Sequence, residues 1–165
     1  MIQIEINTDQ FFSDIRDIAN EVWPVAYGAI LSAAQLEYMM EMMYSLPSLL
    51  KQVTDKKHHF IVAKEDEVCL GFASFEFNFN GTNKTKIHKI YVYTHQQGKG
   101  IGKYLIDFIA NQATVGHQQA LVLNVNRNNS ALHFYQQIGF AIQGEEDIDI
   151  GNGYLMEDYI MEKSI

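Results

Sequence analysis

The 165 residues predict a mixed α/β sheet, antiparallel strands first and a βαβ unit later, and three observations carry that reading. The first half holds consecutive strand-like runs joined by short turns, with helical spacing before them. The second half alternates helix and strand, which is the βαβ pattern of a parallel pair. Between the halves lies Gln97-Gly98-Lys99-Gly100-Ile101-Gly102, a glycine turn that follows a strand and opens a helix.

The elements follow in order. Met1–Ile6 alternates at period two and reads as a strand rather than a leader peptide. Asp9–Val22 and Ala33–Tyr44 carry helical apolar spacing, with Pro24 and Gly28 breaking the run between them. His58–Ala63 and Val68–Phe79 read as strands around a Glu65-Asp66-Glu67 turn, and Phe75, Phe77 and Phe79 mark a half-buried face. Asn80-Gly81 is a hairpin signal into the strand Lys84–Tyr93. Then come the helix Ile101–Thr114, the strand Ala120–Val125, the helix Ser130–Gln137, and the strands Phe140–Ile148 and Tyr154–Met161.

Composition sets the class. At 47% apolar residues, with two prolines and no low-complexity run, the chain reads as a single domain over 1–165 with a real core. No segment approaches the roughly 20 apolar residues of a membrane span. Cys69 is the one cysteine, which excludes a disulfide framework and a cysteine metal site. A soluble cytoplasmic protein is expected, without a membrane or nucleic-acid partner. A homodimer is an open expectation, since seven Met and many aromatics are available for an apolar contact.

The glycine turn carries the strongest chemical signal. Glycines let the backbone approach a ligand, and the first amides of the following helix lack partners within it. The helix dipole adds partial positive charge at the same place, so the turn is suited to a pyrophosphate. A P-loop needs Gly where Gln97 stands and Ser or Thr where Tyr104 stands; a dinucleotide fingerprint needs Gly where Lys103 stands. Both are excluded. The chain is net −8, yet Phe77–Ile106 holds no acid and contains Lys84, Lys86, Lys89, Lys99 and Lys103. Such a basic island in an acidic chain suits a local polyanion site. Lys84 and Lys86 have the alternative of decorating a strand edge.

A second stretch, Asn128-Asn129-Ser130-Ala131-Leu132-His133-Phe134-Tyr135 through Gly139-Phe140, allows a capped helix ended by Gly139. Tyr135 would then be an aromatic packing on the sheet.

Together these motifs resemble the GNAT superfamily of N-acetyltransferases. Gln97, Gly100 and Gly102 match the family's acetyl-CoA motif; Asn128, Ala131, Phe134-Tyr135 and Gly139-Phe140 match its later pattern, in family order. The resemblance covers about Val68 to Met161 and implies the family's fold, a central twisted, mostly antiparallel sheet of about seven strands with a βαβ coenzyme site and flanking helices. It implies acetyl transfer from acetyl-CoA to a primary amine in a ternary complex, with no metal. It places the pantetheine arm against Ile90, Tyr91 and Val92, and the pyrophosphate on Gln97, Gly98, Lys99, Gly100, Ile101, Gly102 and Lys103. Asn128 would contact the coenzyme, and Tyr135 would face its sulfur as general acid.

The base is left open, because Asn124 stands where some relatives have Glu; Glu76, His88 or water are the candidates. His58 and His59 are adjacent in a strand, point to opposite faces and make a poor metal pair. The acceptor is open too. Net charge, the acids Glu145, Glu146, Asp147 and Asp149, and a C-terminal stretch resembling PaiA-type spermidine/spermine acetyltransferases lean toward a polyamine. A peptide N-terminus, a lysine side chain, or no turnover at all in a coenzyme A-binding sensor are the alternatives.

Overall fold

A computed structural model describes residues 1–6 and 9–165. Seven strands, β1 (Ile2–Ile6), β2 (His59–Glu65), β3 (Val68–Glu76), β4 (Lys84–Val92), β5 (Ala120–Asn126), β6 (Ala141–Gly151) and β7 (Tyr154–Ser164), form one sheet in the order β1-β2-β3-β4-β5-β7-β6. Every neighbouring pair is antiparallel except β4 and β5, which are parallel. The helices are α1 (Phe12–Tyr27), α2 (Ala33–Tyr44), α3 (Leu46–Thr54), α4 (Ile101–Val115) and α5 (Ala131–Gln137).

Two apolar cores lie on opposite faces of the sheet. One packs α4 and α5 against Ile61, Ala73, Phe75, Ile87, Leu121 and Leu123. The other packs α1, α2 and α3 against Phe60, Val62 and Phe72, with Trp23 among the largest buried side chains. Strand alternation explains the division: Ile61 and Val62 face opposite cores because successive side chains point to opposite faces.

Several elements depart from expectation for local reasons. Pro24 does not end α1; the helix runs to Tyr27, held by burial of Trp23 and Tyr27. Gly28 closes it by close approach, since a Cβ there would lie 2.3 Å from the Pro24 carbonyl oxygen. Leu46–Thr54 is a helix that pattern reading left unassigned. Ser45 accepts from the Ser48 amide, Pro47 occupies the first turn, and Leu49 and Gln52 are buried. β3 ends at Glu76, so Phe77 and Phe79 are not strand residues. The chain turns away through left-handed Asn78 and Asn80, and Asn80-Gly81 belongs to this wider turn rather than a two-residue hairpin. Gln118 braces it by accepting from the Asn78 amide and donating to the Asn78 side chain.

β4 holds the two irregularities that matter most. Its pairing with β5 covers only Lys84–Ile87 against Ala120–Leu123. Beyond that point β4 stays with β3 and β5 stays with β7, so the two strands diverge. A bulge also falls at His88, because Ser74 pairs with Lys89 and Phe75 with Ile87.

Candidate active site

The divergence of β4 and β5 opens a cleft of about 720 Å³. Ile90, Tyr91 and Val92 form one wall and Leu123, Asn124 and Val125 the other. The glycine turn closes one end, α1 contributes Val22, Val25, Ala26 and Tyr27, and α5 contributes Phe134 and Tyr135. The Tyr93 amide donates to Leu70 across the β3 edge, so alternation turns the Val92 amide toward the open edge. That amide therefore has no strand partner where the cleft lies.

At the glycine turn, Gly98 and Gly100 have φ near +80°, at 79° and 80°. Gly100 caps α4, whose first amides are unbonded inside the helix and border the cleft. Gln97 serves as a pin, its side-chain amide donating to the Val92 carbonyl at 3.2 Å. Lys103 lines the cleft and pairs with Asp107; Lys99 bonds Gln96 and lies outside the lining. The basic island is thus not one surface: Lys84 pairs with Glu162, Lys86 bonds Asn124, and buried Lys89 bonds Gln52.

Asn128, expected to contact the coenzyme, is exposed and does not border the cleft, where its neighbour Asn129 stands instead. Asn129 lines the cleft, accepts from the Ala131 amide at 2.9 Å and donates to the Tyr27 hydroxyl at 3.4 Å. The Tyr27 hydroxyl also meets that of Tyr91 at 3.1 Å. Sequence order alone could not separate two adjacent asparagines; the turn did so by spending the Asn128 amide on the Asn126 side chain.

Tyr135 packs its ring beside Phe134 and Phe140, yet its hydroxyl has no partner among the described residues. Burial pushes its ionisation well above the ordinary tyrosine value, so it holds its proton at neutral pH. Cys69, by contrast, is buried in the other core with its thiol pushed up to about 11 by burial, which suits packing and not nucleophilic attack.

Asn124 lines the cleft between two carboxylates. Its amide nitrogen donates to Glu146 at 3.0 Å and to Asp158 at 3.4 Å, and its oxygen accepts from Lys86. A Glu at this position would place a third carboxylate there, whereas an amide satisfies both acids and the ammonium. Asp158 is buried, and burial raises its carboxyl above the usual range. Two of the acids expected to attract a cation, Glu145 and Asp147, are paired with Arg127.

His88 borders the cleft from the β4 bulge. Its Nε2 lies 2.9 Å from Glu76 Oε2, and its ring stacks on His58 at 3.9 Å between centroids. Burial is the largest cause pushing His58 down to about 4 and His88 to about 2; Lys89 comes next for His58, and the stacked His58 ring, ahead of the lysines, for His88. Both rings are neutral at pH 7. His59 lies on the other face against Phe75, so the adjacent histidines do point apart, but His58 joins a different cluster.

The chain matches the model of the Acetyltransferase (GNAT) family over residues 12–140. It belongs to that family. Among solved structures, it is similar along 100% of its length to a PaiA N-acetyltransferase from Thermoplasma acidophilum in complex with coenzyme A. That likeness has TM-score 0.84 and 25% identity, and covers 99% of the other chain. A GCN5-related N-acetyltransferase from Rhodopseudomonas palustris shares the fold, at TM-score 0.83 and 18% identity over 99% of this chain and 95% of that one. An L-amino acid N-acyltransferase of Escherichia coli K12, MnaT, is 31% identical over 88 residues, 52% of this chain and 51% of that protein. An L-methionine sulfoximine/L-methionine sulfone acetyltransferase of Salmonella typhimurium is 28% identical over 88 residues, 52% of each. The matched segment thus spans about half the length of these curated relatives. No described helix is long and apolar enough to cross a membrane.

Proposed function

We propose that this GNAT-family protein transfers an acetyl group from acetyl-CoA to a primary amine of a small molecule. The observation that carries this reading is the gap between β4 and β5. It has an anion-binding turn at one end, an unpaired Val92 amide on its wall and an unpartnered Tyr135 hydroxyl beside it. The pyrophosphate would sit on the backbone amides of Gly98–Lys103, with Lys103 adding charge. The pantetheine arm would lie along Ile90–Val92. Asn129 rather than Asn128 would border it, fixing the start of α5 against α1.

The reaction asks little of side chains. A neutral amine attacks the thioester carbon, the carbonyl oxygen gains negative charge, and the Val92 amide donates to it. The C–S bond then breaks. Tyr135 passes its proton to the departing sulfur and regains one through solvent in the cleft, into which the amine loses its own, so that no net charge is left on the protein. Asn124 has no proton-accepting role in this scheme.

Two acceptor classes have support. The net charge of −8 and the acids Glu146 and Asp149, which Arg127 does not pair, favour a polyamine. The named activities of the relatives from Escherichia coli and Salmonella, together with the pairing of Glu145 and Asp147 to Arg127, favour an amino acid. Release of free coenzyme A measured with spermidine, spermine, amino acids and peptides separates them. A KM that rises with salt marks the polycation, since exposed charges are screened beyond roughly 8 Å at physiological ionic strength. Coenzyme A binding with no turnover on any amine would leave a sensor in place of an enzyme.

A further inference from the structure

His58, Glu76 and His88 come from three separate places: the residue before β2, the last residue of β3, and the bulge of β4. One ligand atom from each lies within 4.8 Å of the other two. Acetyl transfer as described uses none of them. His58 is the anomaly. Only 8% of it is exposed, and its Nδ1 is fully enclosed with no partner among the described residues. Its Nε2 is 3.7 Å from Glu76, beyond hydrogen-bond reach. A buried imidazole with neither nitrogen bonded calls for an explanation, because buried polar atoms almost always find partners.

The bulge points the same way. One extra residue in β4 frees His88 from the ladder and lets it stack on His58 while meeting Glu76. Bulges recur where a strand must re-aim one side chain next to a site.

We propose that His58, Glu76 and His88 bind a divalent transition-metal ion, zinc(II) by preference, through the two Nε2 atoms and one carboxylate oxygen. Two imidazoles and a carboxylate are a zinc donor set that leaves a fourth position open. Soft-metal alternatives are disfavoured, since no thiolate joins the group: Cys69 lies in the core between α1 and the sheet. Metal–ligand bonds of about 2.0–2.2 Å hold tetrahedral donor atoms about 3.3 Å apart, and the near-parallel rings, at 16°, must turn out of their stack until both Nε2 lone pairs aim at one ion. Side-chain rotation supplies this, since all three backbones already converge. Lys56 places positive charge beside the rings and Lys86 beside Glu76, which holds the affinity below that of the same ligands in a neutral pocket. His88 borders the cleft, from which water reaches the fourth position and completes the shell.

The test uses the whole chain without a polyhistidine tag, freed of metal by a chelator. Calorimetric titration with zinc(II) should show one equivalent bound, and cobalt(II) should give the visible absorption of a four-coordinate site. His58→Ala and His88→Ala should each weaken zinc at least about tenfold, as loss of a ligand demands. His117→Ala, at an exposed histidine away from the cluster, should not. Far-UV circular dichroism checks that the variants fold, and the cobalt spectrum of the unaltered chain stands without them. Substoichiometric zinc with no cobalt spectrum, or affinity unchanged in both histidine variants, overturns the site. These readouts do not involve acetyl transfer, so they decide the site separately from the proposed activity.

Discussion

At the scale of single residues, Tyr135 separates packing from chemistry. Its ring belongs to the core beside α5, while its hydroxyl has no partner among the described residues. Tyr135→Phe should therefore leave thermal stability and acetyl-CoA affinity nearly unchanged and lower kcat on the order of 10²-fold, the lower end of general-acid effects. Steady-state kinetics beside a melting curve checks both halves. An equal loss of stability would make the hydroxyl structural. Asp158 offers a pH test. Its folded-state value lies above the ordinary 3.8, burial being the largest cause. Between 3.8 and the raised value the folded chain keeps a proton that the unfolded chain has released. The corresponding stabilisation is full below 3.8 and is lost as pH rises through the folded value. Asp158→Asn removes that loss, so its effect on Tm should be more favourable at pH 7 than at pH 4. Legibility at this scale is uneven. That Tyr135, Gly100 and Gly102 border the cleft is legible as far as an aromatic pair and glycines at fixed spacing carry their own signal. Asn129 was not separable from Asn128, because which one faces the cleft depends on a hydrogen bond to Asn126.

At the scale of elements, the glycine turn uses its glycines for two different reasons. Gly100 has φ +80° with open space around its missing Cβ, so it is there for backbone conformation. Gly100→Ala should cost roughly 1–2 kcal/mol of stability, the penalty of a left-handed non-glycine residue. Gly102 has an ordinary helical backbone, and a Cβ would lie 3.4 Å from Phe134 Cζ. Gly102→Val should fill the cleft at the first turn of α4 and weaken coenzyme A binding more than it lowers Tm. Calorimetry on both variants separates the two roles; equal losses of affinity and stability in both would refute the distinction. The sequence signalled this turn well because strand, glycines and helix start are adjacent in the chain. It signalled α3 poorly, although Ser45 and Pro47 are start signals, because nine residues leave little room for periodicity. The end of β3 was misjudged for another reason. Alternating phenylalanines continue past Glu76, and only the left-handed Asn78, held by distant Gln118, takes the chain out of the sheet.

At the scale of the whole molecule, the parallel pairing of β4 and β5 follows from the βαβ pattern, and that much was legible. The shortness of the pairing was not, since nothing local in Lys89–Val92 or Asn124–Asn126 says that the strands part. Ligand binding should report on this gap. Coenzyme A at a hundred times its Kd adds about 2.7 kcal/mol by mass action. For a chain of this size that corresponds to a rise in Tm of roughly 5–11 °C. Differential scanning fluorimetry measures it, and an unchanged Tm at saturating coenzyme A would remove the binding site from this cleft.

The gap also sets how the sheet holds together mechanically. Its two wings, β1 to β4 and β5 to β7, share one seam of four residue pairs, and past that seam the main-chain groups facing inward have no strand to meet. The pantetheine arm proposed for this cleft, with its own amides, would have the form of the absent stretch of strand. On this view the acyl donor is a removable splint as well as a reagent. It would bridge the two wings from within the gap, above the core that α4 already shares between them.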